Sequence, residues 1–379
     1  MRDMEQERQM IRDVAVKTAQ RVVKPKATEI DVTGELPRDL IEAFGKQGLL
    51  AVLLPEEYGG TGGDLSSFCL VVEEIAKVSG SSALLILAQG MGSIPILLGG
   101  GASQQERCFS QITEGNKLTA LALDEGETGS EMVSLRTKAE RQGKEYLLTG
   151  RKDFVTFGSV ADFYSVFAVT DPKQGLGGFS AFMVERGTAG LHFGEREEAL
   201  GMKGVVTTDV ILEGCRVPAE NGLGEEGKGW EIIRRTHQMS GPAAGAFAVG
   251  IAQGALNFSM GYSQERIQFG KPISSFQAVR FMLADMATQV EAARALIDKA
   301  IAHFEAQQED IETLSPMAKT YASDVAIKVT TDAVQILGGY GYMRDYPVER
   351  MMRDAKVTQI YGGTNQWERQ VVAQHLFRD

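Results

Sequence analysis

Apolar positions recur at helical spacing through the first part of the chain, as in LIEAFGKQGLLAVLL (40–54) and LVVEEIAKV (70–78), with turns marked by YGGTGGD and VSGSS. This pattern predicts a helical unit over residues 1–116. From about Lys117 the period shortens to β-rich runs such as EYLLTG, FYSVFAV, SAFMVE and TTDVILEGCRV, separated by Gly, Asp and Asn turns. A β-domain over 117–226 is expected. After NGLGEEGKGW the helical period returns in long Ala-, Met- and Leu-rich stretches at 243–266, 277–307 and 316–337. They predict a four-helix bundle over 227–379, where small residues let helices approach closely.

Composition narrows the function classes. The 379 residues are 43% hydrophobic and 23% charged, which suits a globular chain of two or three packed units. No run of about twenty uninterrupted apolar residues is visible, so no bilayer span is predicted. The start MRDMEQERQMIRD lacks the apolar stretch of a secretory signal, and a cytoplasmic enzyme is expected. Cys69, Cys108 and Cys215 have no paired spacing and read as buried small apolar residues. His192, His237, His303 and His375 show no ligand spacing, so metal catalysis is not predicted. A net charge of -11 argues against nucleic acid as partner.

Six segments in order carry a resemblance over essentially the whole chain: LLPEEYGGTGG (53–63), LALDEGETGSE (121–131), YLLTGRKDFVT (146–156), LGMKGVVTTDVILEGCRVP (200–218), ERIQFGKPISSFQ (265–277) and QILGGYGYMRDYPVERMMRDAKVTQIYGGTNQ (335–366). On these the chain resembles the acyl-CoA dehydrogenase family. The resemblance implies an α+β flavoprotein with an N-terminal helical domain, a middle β-barrel-like domain and a C-terminal four-helix bundle. It further implies FAD as cofactor, an acyl-CoA or related thioester as substrate, a homotetramer, and electron-transfer flavoprotein as the partner of a redox reaction.

Carried residue by residue, the resemblance places Leu123, Asp124, Gly129 and Ser130 in a flavin-facing loop, with Ser130 also near the substrate. Phe154 falls where the family usually has tryptophan against the ring, although an aromatic residue on a strand is more often core. Thr156 matches the threonine that reaches the flavin near N5. The motif 146–156 is expected to form strand, turn and strand. Arg266, Gln277 and the backbone at Phe269 match the FAD-diphosphate segment, a charge-assisted site in keeping with the ligand's needs; read alone, Arg266 caps a helix. Gln335, Gly338 and Gly339 resemble the segment that receives a neighbour's FAD, where glycine permits close backbone approach; read alone, they cap a helix end. Thr364 and Gln366 match positions near the adenosine. His237, Gln238, Gly241, Tyr361 and Gly362 fall on the substrate side.

The chain departs from the family at its central residue. The family reaction needs a base to take the proton at Cα. Of its two known positions, one is Gly362 here, whose backbone N–H is left to meet a thioester carbonyl. The other is Ser240, a weak base without an activating partner. The adjoining arginine, which helps bind CoA, is replaced by Gly241, and an aspartate nearby by Gln238. Asp124 replaces a threonine near the flavin pyrimidine edge. It either faces the ring or caps a turn. Asp124, Glu127, Tyr361 and His237 are the candidate substitutes. Three readings follow: an oxidoreductase with an unusual base, a flavoprotein lyase of decarboxylase or desulfinase type, and a non-catalytic FAD-binding member.

Overall fold

The computed structural model describes residues 2–114, 117–126 and 134–377. Six α-helices come first: α1 (Arg2–Thr18), α2 (Ala27–Thr33), α3 (Arg38–Lys46), α4 (Leu65–Ala76), α5 (Gly80–Gly99) and α6 (Ala102–Thr113). Their starts follow from local chemistry. The Asp64 carboxylate accepts the Ser67 N–H at 2.8 Å ahead of α4, and Ser79 caps α5 by accepting the Ser82 N–H at 3.3 Å. Helix α5 corrects one expectation: its 20 residues are long and apolar enough to span a bilayer, yet 83% of the apolar window is buried inside this fold. Isolated Gly and Ser hid that length from a search for uninterrupted apolar runs.

The middle region holds β1 (Thr119–Ala122), β2 (Lys138–Gln142), β3 (Glu145–Thr156), β4 (Phe163–Val169), β5 (Phe179–Glu185), β6 (Leu191–Phe193), β7 (Thr207–Pro218) and β8 (Gly222–Leu223). They run in the order β6-β7-β3-β2-β4-β5-β8, with β1 parallel to β4. A single pairing, Lys138 with Val169, joins the β6-β7-β3-β2 leaf to the rest. The sheet therefore folds into two leaves meeting at a corner. The strand-turn-strand expected over 146–156 is instead one bulged strand, β3, with register shifts at Leu148/Gly150 and Lys152/Val155 against β7.

The last third comprises α7 (Gly229–Glu265), a small hairpin of β9 (Ile267–Gln268) and β10 (Lys271–Pro272), then α8 (Gln277–Glu305), α9 (Ile311–Leu337), α10 (Val348–Val357) and α11 (Asn365–Leu376). Helices α7, α8 and α9 pack on one another, and α10 and α11 lie against α9. Helix α7 begins fourteen residues before the predicted 243 and runs through Pro242. On the turn preceding that proline, the Ser240 and Ser315 hydroxyls donate to the His237 carbonyl at 3.0 and 3.3 Å.

One continuous apolar core runs through all three regions. Helix α5 meets β1 closely: a Cβ at Gly92 would lie 2.7 Å from the Ala120 nitrogen, and Gln89 Oε1 accepts the Thr119 N–H at 3.0 Å. Buried Asp354 of α10 accepts the Met202 N–H at 2.6 Å, tying the C-terminal helices to the loop before β7. These two joints fix the end of β1 relative to the α10–α11 connection. The candidate site lies where they converge.

Candidate active site

The segment after β1 is pinned across β3. The Asp153 N–H donates to the Asp124 carbonyl at 2.9 Å, and Gly126 N–H donates to Asp153 Oδ2 at 2.5 Å. On either side of Asp124, the wholly buried Lys152 ammonium donates to the Leu123 carbonyl at 3.1 Å and to Glu125 Oε1 at 2.6 Å. Glu125 also accepts the Arg136 and Thr137 backbone N–H groups at 2.7 and 3.1 Å. Burial works to raise the Glu125 pKa, but Lys152 and these donors carry it below the ordinary value. Asp124 is thus held from both neighbours. Its own side chain keeps open surface.

Three groups meet in front of this segment. The Tyr361 hydroxyl interacts with Thr156 at the end of β3 and feels the charge of Asp124. Burial pushes Tyr361 well above the usual tyrosine range, so it stays a neutral donor. Surrounding protein also raises Asp124, Asp153 adds to that rise, and Lys152 opposes it. Asp124 is exposed as a residue while protein crowds its carboxyl. Asp124 accepts a hydrogen bond through its backbone carbonyl, and its carboxylate, which a turn cap would engage, has no hydrogen-bond partner among the described residues.

Beside Tyr361, Gly362 and Gly363 have φ of 69° and 103°, both in the left-handed region. Among the described residues, a Cβ at Gly362 would meet only Ala244 Cβ, at 3.8 Å, an ordinary contact. The Gly362 N–H has no hydrogen-bond partner among the described residues. Phe154 lies two residues before Thr156 on β3. The β3 bulge gives it φ of 54°, and its ring is 66% exposed, so the core reading of this aromatic does not hold.

A second cluster lies elsewhere on the chain. Arg266, Gly338, Gly339, Tyr262 and Tyr340 line a cavity of about 470 Å³. The Arg266 guanidinium sits 5.1 Å from the centre of the Tyr340 ring and makes no ion pair among the described residues. Cβ atoms built at Gly338 and Gly339 meet nothing within 4 Å. Gly338 also caps α9, with φ of 61° and its N–H on the Gln335 carbonyl, so the helix-cap reading of the Gly-Gly pair is met. Arg266 ends α7, but its side chain turns to the ring rather than back onto the helix.

Comparison with known proteins agrees with this layout. Family models for the acyl-CoA dehydrogenase N-terminal, middle and C-terminal domains match residues 5–116, 120–215 and 227–377. The chain belongs to the acyl-CoA dehydrogenase family. It is 45% identical to cyclohex-1-ene-1-carbonyl-CoA dehydrogenase of Syntrophus aciditrophicus over 99% of this chain and 91% of that protein. A structure described as the electron transferring flavoprotein of Acidaminococcus fermentans superposes with a TM-score of 0.95 at 44% identity, covering 98% of both chains. Butyryl-CoA dehydrogenase from Megasphaera elsdenii superposes with a TM-score of 0.94 at 40% identity, again covering 98% of both.

Acyl-CoA dehydrogenases are FAD flavoproteins, and the residues present fit such a group. An unpaired guanidinium beside two open glycines suits a diphosphate, while exposed Phe154 and the Thr156 hydroxyl suit a flavin ring. The other expected positions are scattered. Phe269 forms the tip of the β9–β10 hairpin at 91% exposure, Gln277 opens α8, and Gln335 and Gln366 are exposed. Thr364 caps α11 by accepting the Trp367 N–H at 3.3 Å. Gly129, Ser130 and Glu127 lie outside the described residues.

Two substrate-side expectations are corrected. Gly241 is sealed between α7 and α9, where an added Cβ would fall 2.1 Å from Ser315 Oγ; the missing arginine leaves no hole because the helices have closed over it. Gln238 is buried and Ser240 is tied to its own helix, so neither presents a free group. His237 pairs through Nε2 with Glu368 at 3.1 Å and meets the Trp367 ring edge-on. Sequence reasoning missed Glu125, Lys152, Lys319 and Glu368. Charged residues in otherwise apolar strand and helix patterns were the available signal.

Proposed function

We propose that this acyl-CoA dehydrogenase oxidises an alicyclic acyl-CoA thioester and that Asp124 takes the proton removed from carbon. The observation that carries the reading is the raised carboxyl of Asp124 near the Tyr361–Thr156 pair, with the uncrowded Gly362 next along the chain from Tyr361. Gly362 stands where most of the family carries its glutamate. Among the alternatives, Tyr361 is held neutral, Ser240 is bound to its helix and His237 is engaged by Glu368. Asp124 remains a carboxylate with an open face. Its elevated pKa brings it closer to the task of a general base than an ordinary surface aspartate.

The empty side-chain volume supports a ring-bearing acyl group, as does 45% identity to a relative named for cyclohex-1-ene-1-carbonyl-CoA. In this reading the Gly362 N–H donates to the thioester carbonyl and stabilises charge that develops there. Tyr361 closes the cleft beside the acyl group, and Asp124 Oδ holds the proton. Bound FAD supplies the two-electron acceptor for the hydride. Thr156 and Phe154 would hold its ring, and Arg266, Gly338 and Gly339 would hold a diphosphate.

The thioester and cofactor clusters share no lining residue, which supports an assembly in which each FAD is completed by a neighbour. Exposed Phe269 and Phe281, at 91% and 60%, supply uncovered apolar surface for a homotetramer. Likeness to the Acidaminococcus structure supports an electron-transfer flavoprotein as redox partner. Three free, buried cysteines suit a cytoplasmic, reducing location.

The test is an anaerobic titration of the flavoprotein with straight-chain and cyclic acyl-CoAs, following flavin absorbance and analysing the thioester by mass spectrometry. Bleaching with loss of two hydrogens from a cyclic thioester is expected. An unbleached flavin with a product that has lost carboxylate or sulfinate would instead establish the lyase reading, which the non-acidic Gly362 and Ser240 favour. Silence toward every thioester would leave an FAD-binding member without this chemistry.

A further inference from the structure

Behind the Gly362–Gly363 turn lies a cluster of charged groups that the proposed chemistry does not use. Lys319 of α9 is fully buried, and its ammonium donates to the Gly363 carbonyl and, at 2.8 Å, to Asn365 Oδ1. Glu368 of α11 is also fully buried. Its Oε1 lies where a Gly363 side chain would begin, 2.2 Å from the built Cβ, and pairs with His237 Nε2 of α7 at 3.1 Å. Glu368 Oε2 has no hydrogen-bond partner among the described residues. Three helices thus reach one dipeptide.

Burying these charges is costly, and an apolar cluster would join the same helices with less penalty. What the polar arrangement adds is direction. Two consecutive glycines with positive φ have no side chains to limit their peptide planes, and the Gly362 N–H has no partner among the described residues. Backbone bonds from Tyr361 to Val357 and from Asn365 to Gln359 close the turn, and groups outside it hold the glycine peptides between them. Lys319 holds the Gly363 carbonyl from one side, while the Glu368 carboxylate bars the other.

We propose that Lys319, Glu368 and His237 form a buried positioning device that aims the Gly362 N–H at the thioester carbonyl. The proposal rests on the thioester reading above. These residues act through the glycine turn and do not touch the substrate. The ammonium is the titrating part. Burial brings Lys319 down to about 8, with Glu368 and Asp324 raising it and Arg369 lowering it. The groups around it are Glu368 and Arg369 of α11, Asp324 of α9, the Asn365 amide and, beyond Glu368, His237 of α7. The charged grip on the Gly363 carbonyl is therefore present below about pH 8 and weakens above it.

Calorimetry on dithionite-reduced holoenzyme with cyclohexanecarbonyl-CoA, which the reduced protein cannot turn over, measures the effect apart from catalysis. Wild type should bind more weakly as pH rises from 7 to 9, with a midpoint near 8. Lys319→Met should remove that dependence. Lys319→Met and Glu368→Gln should each bind about tenfold more weakly with FAD content unchanged. Variants that bind like wild type, or a flat wild-type profile, would overturn the positioning role alone. Should Lys319→Met fail to fold, Glu368→Gln and the wild-type profile still decide. Absence of binding by wild type would remove the thioester reading and this proposal together.

Discussion

Gly362→Glu puts the reading of the cleft to its hardest test, because it returns a carboxylate to the position where most of the family keeps its base. The structure leaves room for the first atom of the side chain. Its Cβ would meet only Ala244 Cβ, at 3.8 Å, an ordinary contact. The backbone charges for it, since φ of 69° favours glycine and costs another residue about 1 kcal/mol. That loss lowers the melting temperature by a few degrees without preventing folding. Two functional effects then oppose each other. The new side chain occupies the volume assigned to the ring, so KM for a cyclic thioester should rise about tenfold or more. For a short straight-chain thioester such as butyryl-CoA, which needs no such room, a positioned base should raise kcat by about 100-fold. Anaerobic flavin bleaching under single-turnover conditions, run with both thioesters on both proteins, separates the two. An unchanged KM for the cyclic thioester would refute the assignment of the open volume. No gain with butyryl-CoA would refute the view that the missing side chain limits straight-chain chemistry.

Three further outcomes follow from particular contacts. Asp124→Asn should lower kcat for the cyclic thioester by about 100-fold while leaving KM nearly unchanged, and wild-type kcat should show an acid limb above the ordinary aspartate pKa of 3.8; equal turnover by both proteins would exclude Asp124 as the base. Burial raises Asp354 to about 6 in the folded chain against 3.8 ordinarily, so folding favours its protonated form. Stability should fall as pH rises from about 4 to about 6, by up to about 3 kcal/mol, and Asp354→Asn should flatten that slope in melting curves. Gly241→Ala, a first step toward the family arginine, would place Cβ 2.1 Å from Ser315 Oγ and should cost about 1–3 kcal/mol. A melting temperature equal to wild type would show that α7 and α9 can separate there.

The chain order of helices, strands and helices was legible because periods of 3.6 and 2 reflect which faces meet the core, and each region's apolar pattern is long enough to show its period. The segments around Asp124, Thr156, Arg266 and Gly362 were legible through ordered motifs, and the expectation of non-acidic residues at the family's base positions, Gly362 and Ser240, rests on that matching. Only the tertiary structure decided how those motifs combine. It set Asp124, Thr156 and Tyr361 together from three separated stretches, through the joints at Gly92 and Met202. It closed Gly241 against Ser315, so a residue read as a vacant CoA contact proved to be a helix contact. It also turned Phe154 outward on a bulge whose register depends on β7. The burial of Lys152, Glu125, Lys319 and Glu368 had only a weak signal in the sequence, a charge within an apolar pattern, for the same reason. A charged residue declares itself buried only when the partner that neutralises it is brought in from elsewhere in the chain, and sequence spacing carries no record of that meeting.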